Sequence, residues 1–215
     1  MTATATLLSD YARQRGITEV LHFTTNRGLV GILSSGAVLS RDALEAADKL
    51  EPIRLLNCGS RSKDADWTGW VNLSLTQVNK SMLGTSQSWH KEDGIWWGVL
   101  AFDVSILDDD DVWFTTTNNT YPVVRRGHGI EGLTALFAPR VPWGYYGSSK
   151  TRQNKTDDMT TCEQAEVLYP GSLRLDALRH IYVAEGEHID QIAGWVTAFP
   201  TTPVVPVTFN PGIFR

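Results

Sequence analysis

One stretch does most to limit what this chain can become. Gly94-Ile-Trp-Trp-Gly-Val-Leu-Ala-Phe-Asp-Val104 is a continuous apolar run. Trp, Val, Ile and Phe favour the pleated surface of a sheet, so the run reads as a central strand. Other strands must then be found to flank it. Glu19 to Thr24 is short and rich in β-formers. Trp70 to Leu75 alternates apolar and polar residues, the mark of a half-buried strand. Val112 to Thr115, His180 to Val183 and Val204 to Phe209 are further short strands.

Helical spacing is confined to a few segments between them. Residues 7 to 15 form a short helix. Leu29, Val30, Ile32 and Leu33 define a helix capped by Asn26 and ended by Gly36. Asp42 to Leu50 is a second, stopped by Pro52, and Gly129 to Phe137 and Glu187 to Phe199 are others. A helical turn opens at Asp176. Gln77 to Asp93 reads as loop with at most a helical turn, and Pro139 to Lys155 as loop with an aromatic knot of Trp143, Tyr145 and Tyr146. Regular helices do not separate the strands, so the class is α+β. At 215 residues, 42% hydrophobic, the chain fits one domain over 1–215 with a substantial core.

No apolar run is long enough to span a bilayer, and Met1 to Leu8 lacks a basic start and an apolar centre, so neither a membrane segment nor a signal peptide is expected. Cys58 and Cys162 make no disulfide framework, which points to a reduced, cytoplasmic chain. The formal net charge of -5 argues against a non-specific nucleic-acid binder, though local patches can override a total.

Most motifs dissolve on inspection. Gly127-His-Gly-Ile-Glu-Gly132 matches a dinucleotide fingerprint, but it sits in mid-chain after Arg125 and Arg126 and opens no long helix. The five His and two Cys show no metal-ligand spacing, so no metal is expected. Asp108 to Asp111 is a solvated turn. No Ser or Cys sits in a nucleophile elbow. What stands out is Cys162-Glu-Gln-Ala-Glu-Val-Leu-Tyr169, entered from the polar segment Gly147 to Thr161, read as a long mobile loop. As a strand it turns Gln164 and Glu166 to one face. A long loop that ends at paired polar side chains is commonly functional. His22 in the first strand and Arg61 in a polar segment precede it, making an ordered trio of His22, Arg61 and Glu166.

Leu21-His-Phe-Thr24, then Leu29-Val-Gly-Ile-Leu33, Gly36 and Leu39, and the later Gln164-Ala-Glu166, resemble the DarT family of bacterial toxins. These are related to the diphtheria-toxin and PARP-like ADP-ribosyltransferases. The resemblance implies two packed, mostly antiparallel sheets forming a split β core with flanking helices. It implies a mono-ADP-ribosyltransferase that cleaves NAD+, a co-substrate with no further cofactor, and passes ADP-ribose to a base in single-stranded DNA. Guanine and thymine are both open, with a lean to guanine because the Trp-rich middle departs from the thymine pattern. Glu166 and Arg61 would be catalytic. His22, Thr24, Gly31 and Arg61 would hold NAD+, with Arg61 placed either at the pyrophosphate or near the acceptor base. Gln164, Lys150, Arg152, Lys155, Tyr145 and Tyr146 would recognise substrate, the aromatics either stacking on a base or packing in the core. The implied partner is an antitoxin that removes ADP-ribose, of macrodomain or related type. An RNA or protein acceptor, or an inactive nucleic-acid-binding module, are the alternatives.

Overall fold

The computed structural model describes residues 7–47, 66–145, 147–199 and 202–214. A short helix, α1 (Leu8–Gln14), leads into β1 (Glu19–Thr25). The sequence suggests Asn26 as the cap of the next helix, α2 (Asn26–Ser35), but the cap is Thr25, whose hydroxyl accepts from the Gly28 N–H at 3.1 Å. Asn26 donates instead to the Gly94 carbonyl at 2.8 Å, tying the helix start to the approach of the central strand. After β2 (Ala37–Leu39) comes α3 (Arg41–Ala46), capped by Ser40. The rest of the expected second helix, with Cys58 and Arg61, lies outside the described residues.

β3 (Trp70–Leu75) is followed by α4 (Lys80–Trp89), where the sequence suggests loop. Asn79 caps it by accepting from the Met82 N–H at 3.0 Å. Only Leu83 and Ser86 of this helix are buried, too few to print a helical period on the sequence. β4 (Trp97–Asp103) is the expected central strand, starting three residues late. β5 (Trp113–Thr115), β6 (Arg126–His128) and α5 (Gly129–Ala135) follow. The segment read as an aromatic loop is a hairpin, β7 (Arg140–Pro142) with β8 (Ser149–Thr151). The chain closes through β9 (Glu166–Pro170), β10 (Ser172–Arg174), β11 (Leu178–Val183), α6 (Glu187–Ala198) and β12 (Val207–Phe209).

The main sheet runs β12-β11-β4-β1-β3-β9-β5-β6. Every pairing in it is antiparallel except β11 with β12. β1 pairs with β4 along its whole length, Glu19 to Thr25, but with β3 only at Val20 and Leu21. That short seam divides the sheet into two halves of four strands, and the split β core takes this form. Leu29 and Leu33 of α2 pack with Leu100 and Phe102 of β4 and with Phe114 and Val167 in the main core. A smaller cluster of Leu21, Leu83, Val99 and Ala101 covers the other face. β4 is thus buried on both sides, with Val99 to Phe102 all at 0% exposure, as its sequence requires. Burying each such large side chain is worth roughly 1.5–3 kcal/mol.

The glycines of the rejected fingerprint have a packing role. A Cβ on Gly127 of β6 would lie 2.9 Å from the Gly132 Cα in α5, so the two elements approach backbone to backbone.

Candidate active site

The last β1–β3 pair is Leu21 with Ser74. One residue further the strands part, and His22 bridges them: its Nδ1 lies 3.1 Å from the Asn72 carbonyl. Burial pushes the imidazole pKa down from 6.5 to about 4, so the ring is neutral near pH 7. A carbonyl can only accept. Nδ1–H therefore donates to it, and Nε2 keeps its lone pair as an acceptor for a bound hydroxyl. Thr24, two residues along the same face, is buried against the start of α2. A Cβ on Gly28 would collide with Thr24 Oγ1, so Gly28 is what admits that side chain. Gly31 lies mid-helix in α2, and its carbonyl accepts from Ser35 at 2.8 Å.

Glu166 opens β9, buried at 7% exposure and paired with Thr115 of β5. The expected strand from Gln164 begins only here. Gln164 belongs to a turn closed by the Ala165 N–H on the Cys162 carbonyl at 3.0 Å, and the same carbonyl accepts from Thr160 at 2.6 Å. Those bonds take the place of ladder pairing, so strand alternation does not relate Gln164 to Glu166. Both side chains are nonetheless buried. Glu166 Oε2 accepts from the backbone N–H of Asn119 at 2.9 Å. Asn119 sits in the loop between β5 and β6. Arg126 grips it twice, Nε to Asn119 Oδ1 at 2.7 Å and Nη2 to its carbonyl at 2.8 Å. Neither residue carries a motif. The Asx-type bond from Thr120 N–H to Asn118 Oδ1, at 2.9 Å, marks a turn and nothing more.

The β7–β8 hairpin stands beside this carboxylate. Trp143, past the end of β7, donates its indole N–H to Gln164 Oε1 at 2.6 Å. Tyr121, from the Asn119 loop, meets Trp143 edge-on at 6.1 Å and Tyr145 at 5.7 Å. The two expected roles of the aromatics therefore divide: Trp143 is packed and pinned, while Tyr145 is 50% exposed. Tyr146 lies outside the described residues. Lys150 Nζ pairs with Glu163 at 2.9 Å and lies 4.6 Å from the Trp143 ring, and the hydrogen bond to Glu163 raises its pKa. Arg152 donates to the carbonyls of Met159 (2.6 Å), Thr156 (2.8 Å) and Asp157 (3.2 Å), so it organises the segment read as a mobile loop. Lys155 is half-buried and donates its backbone N–H to the Arg152 carbonyl at 3.1 Å.

The structure thus brings Glu166, Gln164 and Trp143 together around Asn119 and Tyr121, and sets His22 and Thr24 across β3 on the seam. Arg61 lies outside the described residues. Among the described residues, one trio of donors stands close enough to share a metal ion: Glu185, Glu187 and His188, at the start of α6. It belongs to the far half of the sheet, where α6 packs on β12. No helix among the described residues is long and apolar enough to cross a membrane.

The fold is that of solved ADP-ribosyltransferases. The chain is similar to Thermus sp. 2.9 DarT in complex with NAD+, at 16% identity and TM-score 0.65, covering 92% of this chain and 98% of that one. It is similar to the same protein in complex with ADP-ribosylated ssDNA, at 14% identity and TM-score 0.66, covering 92% and 96%. Thermosipho africanus DarTG in complex with ADP-ribose matches at 16% identity and TM-score 0.58, over 92% of this chain but 51% of that one. No curated protein matches in sequence. The family model described as DarT, ssDNA thymidine ADP-ribosyltransferase, matches residues 21–215. Its description names thymidine, which corrects the lean to guanine. The chain belongs to the DarT family of single-stranded-DNA thymidine ADP-ribosyltransferases.

Proposed function

We propose that Glu166 is the catalytic carboxylate of ADP-ribose transfer from NAD+ to thymine in single-stranded DNA, with His22 and Thr24 on the NAD+ side. The observation that carries this is a buried carboxylate, oriented by a backbone amide, at the start of a strand beside the seam. When the bond between nicotinamide and ribose breaks, nicotinamide leaves neutral and positive charge develops on the ribose. Glu166 accepts a hydrogen bond from the ribose and stabilises that charge. In a thymidine the ring nitrogen that carries a proton is N3. As N3 bonds to the ribose carbon, its proton passes to Glu166 as general base. His22 Nε2 accepts from a ribose hydroxyl, and Thr24 completes that side. Gly31 gives the NAD+ backbone room on α2, and Arg61 serves the pyrophosphate or the acceptor.

Gln164 fixes Trp143 at the acceptor entrance. Tyr145 and Tyr146 offer faces to an unpaired base, and Lys150, Arg152 and Lys155 set the local charge of that side. We read residues 1–215 as one catalytic domain and the chain as the toxin of a bacterial pair that acts in the cytoplasm. Its partner would be an antitoxin that removes ADP-ribose. The likeness to a DarTG supports this pairing.

Mass spectrometry of single-stranded oligonucleotides, one per base type, tests the reading after incubation with NAD+. Thymine-containing strands should gain one ADP-ribose, and Glu166→Gln should lower that rate by about 100- to 1,000-fold. Full activity in the variant would sink the assignment of Glu166. Modification of RNA or protein but of no DNA strand would move the acceptor.

A further inference from the structure

We propose that Arg126 is a positioning residue for Glu166, acting through Asn119 rather than on substrate. This rests on the reading of Glu166 as the catalytic carboxylate. The amide that holds Glu166 Oε2 belongs to a loop, not to a sheet ladder, so its direction is only as firm as the loop. Contacts at its ends, its tip and Asn119 itself set that loop. Its ends are joined by the Thr116 N–H on the Arg125 carbonyl at 3.0 Å. Its tip is folded by Asn118, whose Oδ1 accepts from both the N–H (2.9 Å) and hydroxyl (2.6 Å) of Thr120. Asn119 itself is held by the Arg126 fork, one donor on its side chain and one on its carbonyl.

A planar guanidinium that bonds both ends of one residue fixes its peptide plane as well as its rotamer. Asn119 is 2% exposed, so the arrangement has little room to relax. The guanidinium is braced in turn by the Trp67 ring, 5.0 Å below it. Register places the two charged residues together. Thr115 of β5 pairs with Glu166 on one side and with Arg126 on the other. Paired residues share a face, so the two side chains rise from the same face, their Cα atoms roughly 10 Å apart, the spacing of two strand steps. Asn119 fills the gap.

The exposed position of Arg126 on the edge strand offers a rival role, a contact to a DNA phosphate. Kinetics separate the two, using the full chain, NAD+ and a thymine-containing single-stranded oligonucleotide. For Arg126→Ala, kcat should fall by roughly 10- to 100-fold while KM for NAD+ and oligonucleotide stays within about 3-fold. Arg126→Lys keeps the charge but has one nitrogen for two acceptors, so its kcat should fall between the two. Stabilisation by NAD+ in thermal unfolding reports that a variant is folded. If Arg126→Ala fails that check, Arg126→Lys carries the same readouts. An unchanged kcat overturns the proposal, as does a loss confined to the oligonucleotide KM. Glu166→Gln is measured alongside. If it retains full transfer, the reading of Glu166 falls whatever Arg126 does; if it is inactive while Arg126→Ala behaves as the parent, only the positioning role falls.

Discussion

His22 shows how one side chain can report on the site without being part of the chemistry. Its folded pKa, about 4, lies below the ordinary 6.5 because burial opposes the charged ring. Between those values the unfolded chain binds a proton that the folded chain does not. The stability His22 contributes is therefore complete above about pH 6.5 and is lost as pH falls toward 4, by at most about 3 kcal/mol for a half-buried ring. Thermal midpoints across that range should decline more steeply for the parent than for His22→Gln; parallel curves would show that the ring is not desolvated. His22 and Glu166 are legible in the sequence because a lone ionisable group in an apolar strand stands out. Asn119 and Arg126 are not. The first contributes a backbone N–H, which every residue except proline has, and its partner is 47 positions away in the chain.

At the scale of elements, the β7–β8 hairpin separates packing from presentation. Trp143 is bonded to Gln164, whereas Tyr145 is half exposed at the turn. Stacking of an unpaired base on an aromatic ring is worth about 1–3 kcal/mol. Tyr145→Ala should therefore raise the KM for oligonucleotide by roughly 5- to 150-fold, with kcat and thermal midpoint held. Steady-state titration of the oligonucleotide decides it, and an unchanged KM would remove Tyr145 from the acceptor site. The hairpin escaped the sequence because strands of three residues are too short to show alternation. α4 escaped it because only Leu83 and Ser86 of its residues are buried, too few to mark a helical face. The longer strands β1, β3 and β4 were readable because burial wrote a pattern over six or seven residues.

For the molecule as a whole, charge sets how it meets DNA. The net charge is -5, Lys150 shares its charge with Glu163, and Arg152 is tied to three carbonyls. Two of the three cations expected on the acceptor side, Lys150 and Arg152, are thus already engaged. With about two phosphates neutralised, the slope of log affinity against log salt for a single strand should be near -1.4. Fluorescence anisotropy over a salt series measures it, and a slope steeper than about -4 would mean a basic surface elsewhere in the chain. The order of strands in the sheet was beyond the sequence, since pairing between distant segments leaves no local trace. The ordered set of residues around the first strand and Glu166 was enough to suggest the family.

The narrow junction at Val20 and Leu21 has a consequence for descent. β1 and β4, with their neighbours, belong to one half of the sheet, while β9 and the Asn119 loop belong to the other, with the separate β7–β8 hairpin bonded to that side through Trp143 and Gln164. Changes that alter which base is marked can accumulate in one half and leave the other undisturbed. On the proposed assignment of the two halves, a lineage can then change its mark while keeping the same fuel.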